Sequence, residues 1–195
     1  MGVVSDAGEA IARGELVVYP TETVYGLGAD ATSPKAVERV FALKDRPRSN
    51  PLSVAIPDLS SLEQVAEPTP DTRAFMDAFL PGPVTVICRR SSQIPDILTA
   101  GSERLGIRIP AHPLATELLQ QTPPLTATSA NRSGRADAST VEALEPHIRE
   151  GVTVVLDGGQ TAGTASTVVD VDRRVIHRRG ANVEAVASWL DGLDS

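Results

Sequence analysis

Short apolar runs alternate with polar stretches along the whole chain, and their spacing predicts interleaved strands and helices. Runs rich in β-branched residues predict strands at residues 16–19, 52–56, 84–88, 106–109, 125–128, 152–156, 167–171 and 175–177. Apolar residues at three- and four-residue spacing predict helices at residues 6–13, 33–44, 59–65, 72–80, 114–120, 141–149 and 183–190. Because the alternation is irregular, we expect an α/β fold with a mixed sheet.

Cap residues indicate where helices should begin and end. Ser33 precedes Pro34, a typical helix start. Asp6 and Ser139 each have a glutamate three residues later, which predicts capping boxes there. Gly14 should end the first helix.

Length, charge and cysteine content narrow the class of protein. A chain of 195 residues corresponds to about one domain, so we expect a single domain over residues 1–195. The net charge of −7 argues against a general nucleic-acid binder. Without a membrane-length apolar run or a secretory pattern, the expected location is the cytoplasm. Cys88 is the one cysteine, which excludes internal disulfides and a cysteine-built zinc site.

A cation cluster follows the second predicted helix. Lys44, Arg46 and Arg48 fall within five residues, and prolines 47 and 51 stiffen the segment. Cations fixed in this way suit a polyphosphate. The alternative is a solvated, basic helix end.

Two other segments carry candidate polar chemistry. If residues 20–25 are extended, Thr21, Thr23 and Tyr25 share one face, as a polar ligand would require; the alternative is a solvated edge strand. Arg108 lies in an apolar strand, so it should meet a carboxylate from the protein or from a ligand. The Ser/Asn-rich loop 128–134 follows a buried strand and is either a ligand loop or an ordinary turn.

Two glycine-rich segments match known nucleotide motifs poorly. Residues 26–31 fit a dinucleotide fingerprint formally, but six residues separate them from the preceding strand. Residues 158–164 lack the lysine of a phosphate loop.

Seven segments in order resemble the threonylcarbamoyl-adenylate synthase family, whose domain is called YrdC-like. They are YPTETVYGLG (19–28), KDRPRSNPLSV (44–54), PGPVTV (81–86), GIRIPAHP (106–113), TSANRSG (128–134), STVVDV (166–171) and HRRG (177–180). The resemblance implies a twisted mixed sheet with helices around a large concave cavity. The implied reaction converts L-threonine, bicarbonate and ATP into threonylcarbamoyl-AMP and pyrophosphate, with Mg²⁺ accompanying ATP.

The resemblance also implies site residues. Lys44 and Arg46 would be catalytic, stabilising the leaving pyrophosphate. The residues that would bind ATP are Lys44, Arg46, Asn50, Asn131, Ser139 and Arg178. The residues that would bind threonine are Thr23, Arg108, Ser129 and Ser166. Neither step of the reaction needs a protein nucleophile. The three scattered histidines also argue against a metal triad, so no metal-ligating residues are expected. Ala55 stands where many members have a histidine facing threonine, so either Ser53 or a water would substitute for it, or threonine would bind more weakly.

The implied partners are the proteins that transfer the threonylcarbamoyl group to tRNA, beside the anticodon. The resemblance also allows a weak contact with tRNA itself. The competing hypothesis is a YrdC-like module that binds RNA without catalysis. The acidic net charge and the six aromatic residues count against that hypothesis, since single-stranded RNA binding relies on aromatic stacking.

Overall fold

The computed structural model describes residues 2–193, and its centre is a twisted mixed sheet of ten strands. Residues 1, 194 and 195 of the predicted domain lie outside the described residues. The strands are β1 (Val17–Tyr19), β2 (Gly26–Gly28), β3 (Ser53–Ala55), β4 (Ala66–Glu67), β5 (Val84–Arg90), β6 (Arg104–Arg108), β7 (Leu125–Ser129), β8 (Val154–Val155), β9 (Thr167–Asp170) and β10 (Val175–Arg178). The α/β class with a mixed sheet is confirmed.

Seven α-helices and one 3-10 helix surround the sheet in the described part of the chain. They are α1 (Val3–Ala12), α2 (Pro34–Leu43), the 3-10 helix (Leu59–Gln64), α3 (Pro70–Phe79), α4 (Asp96–Thr99), α5 (Pro113–Gln120), α6 (Pro146–Glu150) and α7 (Val183–Gly192). Within residues 2–193 no helix is both long and apolar enough to cross a membrane.

The strand order is β10-β9-β5-β6-β3-β7-β2-β1-β8, with β4 paired to β5 outside this path. The pairs β3·β6, β5·β9 and β1·β8 are parallel, and the others are antiparallel. Strands from the two ends of the chain therefore meet in one sheet, and side chains from distant segments share its faces.

Some helix boundaries follow the predicted caps. The hydroxyl of Ser33 accepts a hydrogen bond from the Ala36 amide, so the predicted start of α2 is confirmed. Gly14 has a φ of +74° just beyond α1, as a helix stop requires. The start predicted at Asp6 is wrong, because α1 begins at Val3 and Asp6 lies in its first turn.

The predicted helix over residues 141–149 is also wrong. Turns and bends occupy residues 141–144, and α6 begins only at Pro146. A proline is favoured in the first turn of a helix but disfavours helix before it. Ser139 therefore caps no helix; instead its backbone oxygen accepts hydrogen bonds from the amide and hydroxyl of Thr161.

Apolar side chains cover the sheet on both faces, but not equally. On one face Val54, Val86 and Ile107 belong to a large core that includes residues of α2, α3 and α7. On the other face, α1 and α5 pack over Val17, Tyr19 and neighbouring strand residues in a second, smaller core. This second core covers only part of its face, and the remainder forms the floor of a cavity.

Candidate functional site

The cavity measures about 350 Å³, within the range of small-molecule sites. Its wall includes side chains from strands β1, β3, β5, β6, β7, β9 and β10. In β5, Thr85 and Ile87 face the cavity while Val84 and Val86 face the large core, as strand alternation requires. The site is therefore built mainly on rigid strands.

Gly106 keeps the cavity floor open. It lies on β6 between Arg104 and Arg108, whose side chains share its face. A Cβ atom at this position would overlap the Ser53 hydroxyl and lie 3.0 Å from the Thr85 methyl group. The glycine thus leaves the space that a ligand would occupy.

Glycines also make room beside the cavity in the YGLG segment. Cβ atoms at Gly26 or Gly28 would each lie 3.0 Å from the Tyr19 ring, which packs across β2. The phenol of Tyr19 donates to the Thr126 backbone oxygen, and burial raises its pKa to about 12. These glycines lie in strand β2, so the weakly matched dinucleotide fingerprint is not a phosphate-binding turn here.

Arg108 meets the carboxylate that the sequence required. Its Nη2 donates to Glu22 Oε1 at 3.0 Å and to Thr23 Oγ1 at 2.5 Å. The arginine is 9% exposed and lines the cavity. The expected carboxylate is thus supplied by the protein itself.

Residues 21–24 form a bend, so the extended segment predicted there is wrong. The Thr21 hydroxyl accepts from the Thr23 and Val24 amides and donates to the Val24 oxygen, a local pattern that threonine favours in turns. The Thr21 and Thr23 hydroxyls still lie together, 2.9 Å apart, near Arg108. The Tyr25 phenol points elsewhere, donating to the Gly159 oxygen at 2.7 Å.

Lys44 is buried, with 1% exposure, and its ammonium is bound by three protein oxygens. They are the backbone oxygens of Ser129 (2.5 Å) and Asn131 (2.7 Å), and the Asn131 side-chain oxygen (3.1 Å). Burial, followed by repulsion from Arg46, lowers the pKa of Lys44 to about 8. Lys44 does not line the cavity, but its ammonium donates to Ser129, which does.

Arg46 lines the cavity directly. Its Nε donates to the Asn50 backbone oxygen at 3.0 Å and its Nη2 donates to the Pro51 oxygen at 2.9 Å. These bonds fold the segment after α2 around the guanidinium. Asn50 itself is exposed and contributes its backbone to this contact.

Arg178 approaches the cavity from β10. Its Nε donates to the Ser166 backbone oxygen and its Nη2 to the Ser166 hydroxyl, both at 2.9 Å. The Ser166 hydroxyl also lies 2.9 Å from the Thr85 hydroxyl. Arg178, Ser166 and Thr85 thus form one polar corner of the cavity.

The ten predicted site residues converge on this cavity with one exception. Those that line it are Arg46, Arg108, Ser129, Ser166 and Arg178. Those that hydrogen-bond to a lining residue are Lys44, Asn131, Thr23 and Asn50. In the described part of the chain, the Ser139 side chain does neither, although Asp137 two residues earlier lines the wall.

Positive charge dominates the cavity wall. Four arginines line it (Arg46, Arg104, Arg108 and Arg178), against one carboxylate, Asp137, among the described lining residues. Burial lowers the pKa of Arg46 and of Arg178, and repulsion from a neighbouring arginine lowers each further. An anion held between these guanidinium groups would relieve the repulsion.

Arg104 was not predicted as a site residue. Its guanidinium donates to Asp170 at 2.5 Å and to Asp172 at 2.9 Å, so it clamps β6 to the end of β9. Because side chains alternate along a strand, residues 104 and 108 of β6 share a face, and this pattern would have placed Arg104 on the cavity face. Glu22 and Asp137 were missed as well, because their partners come from distant segments.

Ala55 is packed into the smaller core with Tyr19 and Leu125, and it is 1% exposed. Ser53, two residues earlier on the same face of β3, lines the cavity. Of these two β3 residues, Ser53 is therefore the one that presents a polar group, its hydroxyl, to the cavity.

A family model for Sua5, YciO and YrdC proteins, described as telomere recombination, matches residues 9–180. The chain belongs to the Sua5/YciO/YrdC family. The resemblance drawn from the seven sequence segments is therefore confirmed.

Curated relatives of this Sua5/YciO/YrdC chain include two proteins named threonylcarbamoyl-AMP synthase. That of Bacillus subtilis is 39% identical over 171 residues, covering 85% of this chain and 49% of the relative. That of Pyrococcus abyssi is 37% identical over 164 residues, covering 83% of this chain and 48% of the relative. The chain thus spans about half the length of these relatives.

Solved structures of Sua5 and YciO share the fold. Pyrococcus abyssi Sua5 complexed with L-threonine superposes with a TM-score of 0.86 at 35% identity, covering 94% of this chain and 56% of that chain. Escherichia coli YciO superposes with a TM-score of 0.83 at 26% identity, covering 92% and 89%. The expected YrdC-like architecture is confirmed.

Proposed function

We propose that this protein is a threonylcarbamoyl-AMP synthase, an enzyme that transfers the AMP part of ATP to a threonine carbamate. The observation that carries the proposal is the convergence of Arg46, Arg108 and Arg178 on one cavity with Ser129 and Ser166. The relatives from Bacillus subtilis and Pyrococcus abyssi bear this name, and one Sua5 structure is described as a complex with L-threonine. The product would serve modification of tRNA beside the anticodon.

Arg46 and Arg178 would hold the ATP phosphates. Both line the cavity, and the loss of their mutual repulsion would contribute to binding of a polyphosphate. The proposed ATP-binding residues also include Asn50 and Asn131, which contact lining residues. Ser139 is the last of them, and its segment would have to shift for its side chain to reach ATP. Lys44 would exchange one of its three protein oxygens for a phosphate oxygen.

Arg108 would bind the threonine carboxylate. Its Nη2 already donates to Glu22 and Thr23, and its Nε is buried. The threonine carboxylate would therefore bind Nη1. The hydroxyls of Thr23, Ser129 and Ser166 would surround the amino acid. A site that pairs a substrate hydroxyl discriminates strongly against analogues that lack it.

The chemistry has two steps. First, bicarbonate loses hydroxide to give CO₂, and the threonine amine attacks the carbon of CO₂ to form a carbamate; the proton that the amine releases combines with the hydroxide to give water. A carbamate oxygen then attacks the α-phosphorus of ATP, and the bond from that phosphorus to the bridging oxygen breaks, releasing pyrophosphate. The protein supplies position and positive charge: positioning alone can contribute roughly 7 to 11 kcal/mol. Lys44 and Arg46 would stabilise charge on the leaving pyrophosphate.

Mg²⁺ would enter with ATP. The described residues contain no group of three or more His, Cys, Asp or Glu that could hold a metal ion, so the ion would depend on phosphate oxygens. Asp137, the carboxylate of the described cavity wall, would bind it from the protein side. When bound, Mg²⁺ neutralises phosphate charge.

The remaining expectations belong to the same proposal. The chain would act as a single domain in the cytoplasm and deliver its product to the proteins that transfer the threonylcarbamoyl group to tRNA. Direct contact with tRNA would be weak, because the protein carries a net charge of −7.

The decisive experiment measures pyrophosphate release with ATP, L-threonine and bicarbonate, and detects the adenylate by mass spectrometry. All three substrates should be required. Turnover with threonine but without bicarbonate would indicate an ordinary aminoacyl-adenylate former. Salt-sensitive RNA binding without ATP turnover would indicate the competing RNA-binding module.

A further inference from the structure

The guanidinium of Arg108 is held from one side. Every hydrogen bond that it makes within residues 2–193 uses Nη2, with Glu22, Thr23 and Thr21 as acceptors. Its Nε is buried without a partner among the described residues. Arg108 lines the cavity, and with Nη2 bound to the protein and Nε buried, Nη1 is the donor left to a ligand.

Glu22 fixes that edge with both of its carboxylate oxygens in use. Oε1 accepts from Arg108 at 3.0 Å, and Oε2 accepts from the Ala111 backbone amide at 3.0 Å. The Glu22 side chain is only 18% exposed. It therefore connects the 21–24 bend to the segment that follows β6, with Arg108 between them.

A buried guanidinium needs such a counter-charge. Its isolated charge would be costly away from water, and repulsion between Arg108 and Arg178 adds to that cost. Glu22 compensates this charge from within the protein. Because Glu22 Oε2 accepts from the Ala111 backbone amide, the Glu22 carboxylate stays in place when a ligand binds the Arg108 guanidinium.

We propose that Glu22 is the positioning residue for recognition of the amino-acid carboxylate: it holds Arg108 by Nη2 so that Nη1 faces the ligand. This inference rests on the proposed function and deepens it. Its physical basis is pre-organisation: a donor already fixed in its binding orientation loses less freedom when the ligand arrives.

Glu22→Gln tests the proposal with little change in shape. A glutamine oxygen can still accept from Arg108, but its NH₂ group would face the Ala111 amide, donor against donor. We expect the Kd for L-threonine, measured calorimetrically, to rise roughly tenfold. The Kd for ATP should stay within about twofold, because the phosphate-binding arginines keep their own partners.

A ligand pair separates positioning from general damage. L-Threonine amide lacks the carboxylate charge, so the wild-type protein should bind it far more weakly than L-threonine. In Glu22→Gln this preference should shrink by roughly the same tenfold factor. A merely structural lesion would weaken both ligands and ATP together. Glu67→Gln is the matched control, since Glu67 and Arg89 form an exposed pair with a 3.8 Å separation.

Glu22→Asp serves if the glutamine variant does not fold. Aspartate keeps the charge but is too short to reach Arg108 and Ala111 together, so threonine affinity alone should fall. Unchanged or tighter threonine binding in the folded variants overturns the proposal, and tighter binding would mean that Glu22 competes with the substrate. If the wild-type protein neither binds threonine nor forms the adenylate, the proposed function itself fails, and this inference with it.

Discussion

The ammonium of Lys44 lies 2.7 Å from the backbone oxygen of Asn131, inside the protein. All its hydrogen-bond partners within residues 2–193 are neutral oxygens of Ser129 and Asn131. A buried cation without a bonded carboxylate retains its field, and Ser129, to which the ammonium donates, lines the cavity. This arrangement suits a group that acts on an anion.

Removal of this ammonium should stop the proposed reaction. Lys44→Ala should lower pyrophosphate release by roughly a hundredfold or more, the usual cost of losing one group that stabilises transition-state charge. The measurement is kcat with ATP, threonine and bicarbonate. Lys35→Ala, the other lysine of the chain and exposed on α2, is the control. Full activity of folded Lys44→Ala would exclude the phosphate role.

The same group predicts a pH dependence. The pKa of Lys44 is lowered to about 8, so its charge is complete below that pH and is lost as pH rises through it. If the charge is required, kcat/KM for ATP should fall above pH 8, since this ratio reports the enzyme before ATP binds. A profile that stays flat to pH 10 would contradict the assignment.

Arg108→Ala should raise the KM for threonine roughly ten- to a hundredfold, as loss of charge-assisted hydrogen bonds predicts. The KM for ATP should change far less. Initial-rate kinetics with each substrate varied would give both values, with Arg89→Ala, an exposed arginine, as the control. Equal effects on the two substrates would argue against a carboxylate contact.

Gly106→Ala should fill the cavity floor. The added methyl group would overlap the Ser53 hydroxyl, so binding of threonine should weaken by roughly tenfold or more. Ser53→Gly in the same chain should restore part of the affinity, because it removes the overlapping atoms. Gly8→Ala, whose new methyl would lie 3.9 Å from its nearest neighbour, should leave binding unchanged. Failure of the second substitution to rescue would mean that the backbone has moved.

Asp170→Asn should destabilise the protein by about 2 to 4 kcal/mol, measured by urea unfolding. Asp170 is 1% exposed and pairs with Arg104 at 2.5 Å, so the substitution leaves a part-buried cation with less compensation. Glu67→Gln, at an exposed pair, should cost less than about 1 kcal/mol. Similar costs for both variants would show that the Arg104 clamp contributes little.

Local sequence patterns predicted the features that depend on contacts within a few residues of the chain. The apolar periodicity around Val37 and Phe41 and the cap at Ser33 placed α2, because all the relevant contacts lie within a few residues. The lone charge in an apolar strand predicted that Arg108 would meet a carboxylate. The convergence of distant segments on one cavity came from the family resemblance instead.

Long-range contacts account for what was missed. Strand β2 consists of Gly26, Leu27 and Gly28, which have little intrinsic strand preference and are held there by pairing with β1 and β7. The capping-box pattern at Ser139 starts no helix, and the Ser139 backbone oxygen instead accepts a hydrogen bond from the distant Thr161 amide. The Glu22 contact joins residues 86 positions apart, beyond the reach of any periodicity.

The Tyr25 phenol helps to join two segments of the chain, the bend at residues 21–24 and the glycine-rich loop at residues 158–164. It donates to the Gly159 oxygen and accepts from the Gly158 amide, while the Gly163 amide donates to the Thr23 oxygen. The glycine-rich loop and the threonine bend are thus fastened together at two points. A displacement of either segment must therefore carry the other with it or break these hydrogen bonds.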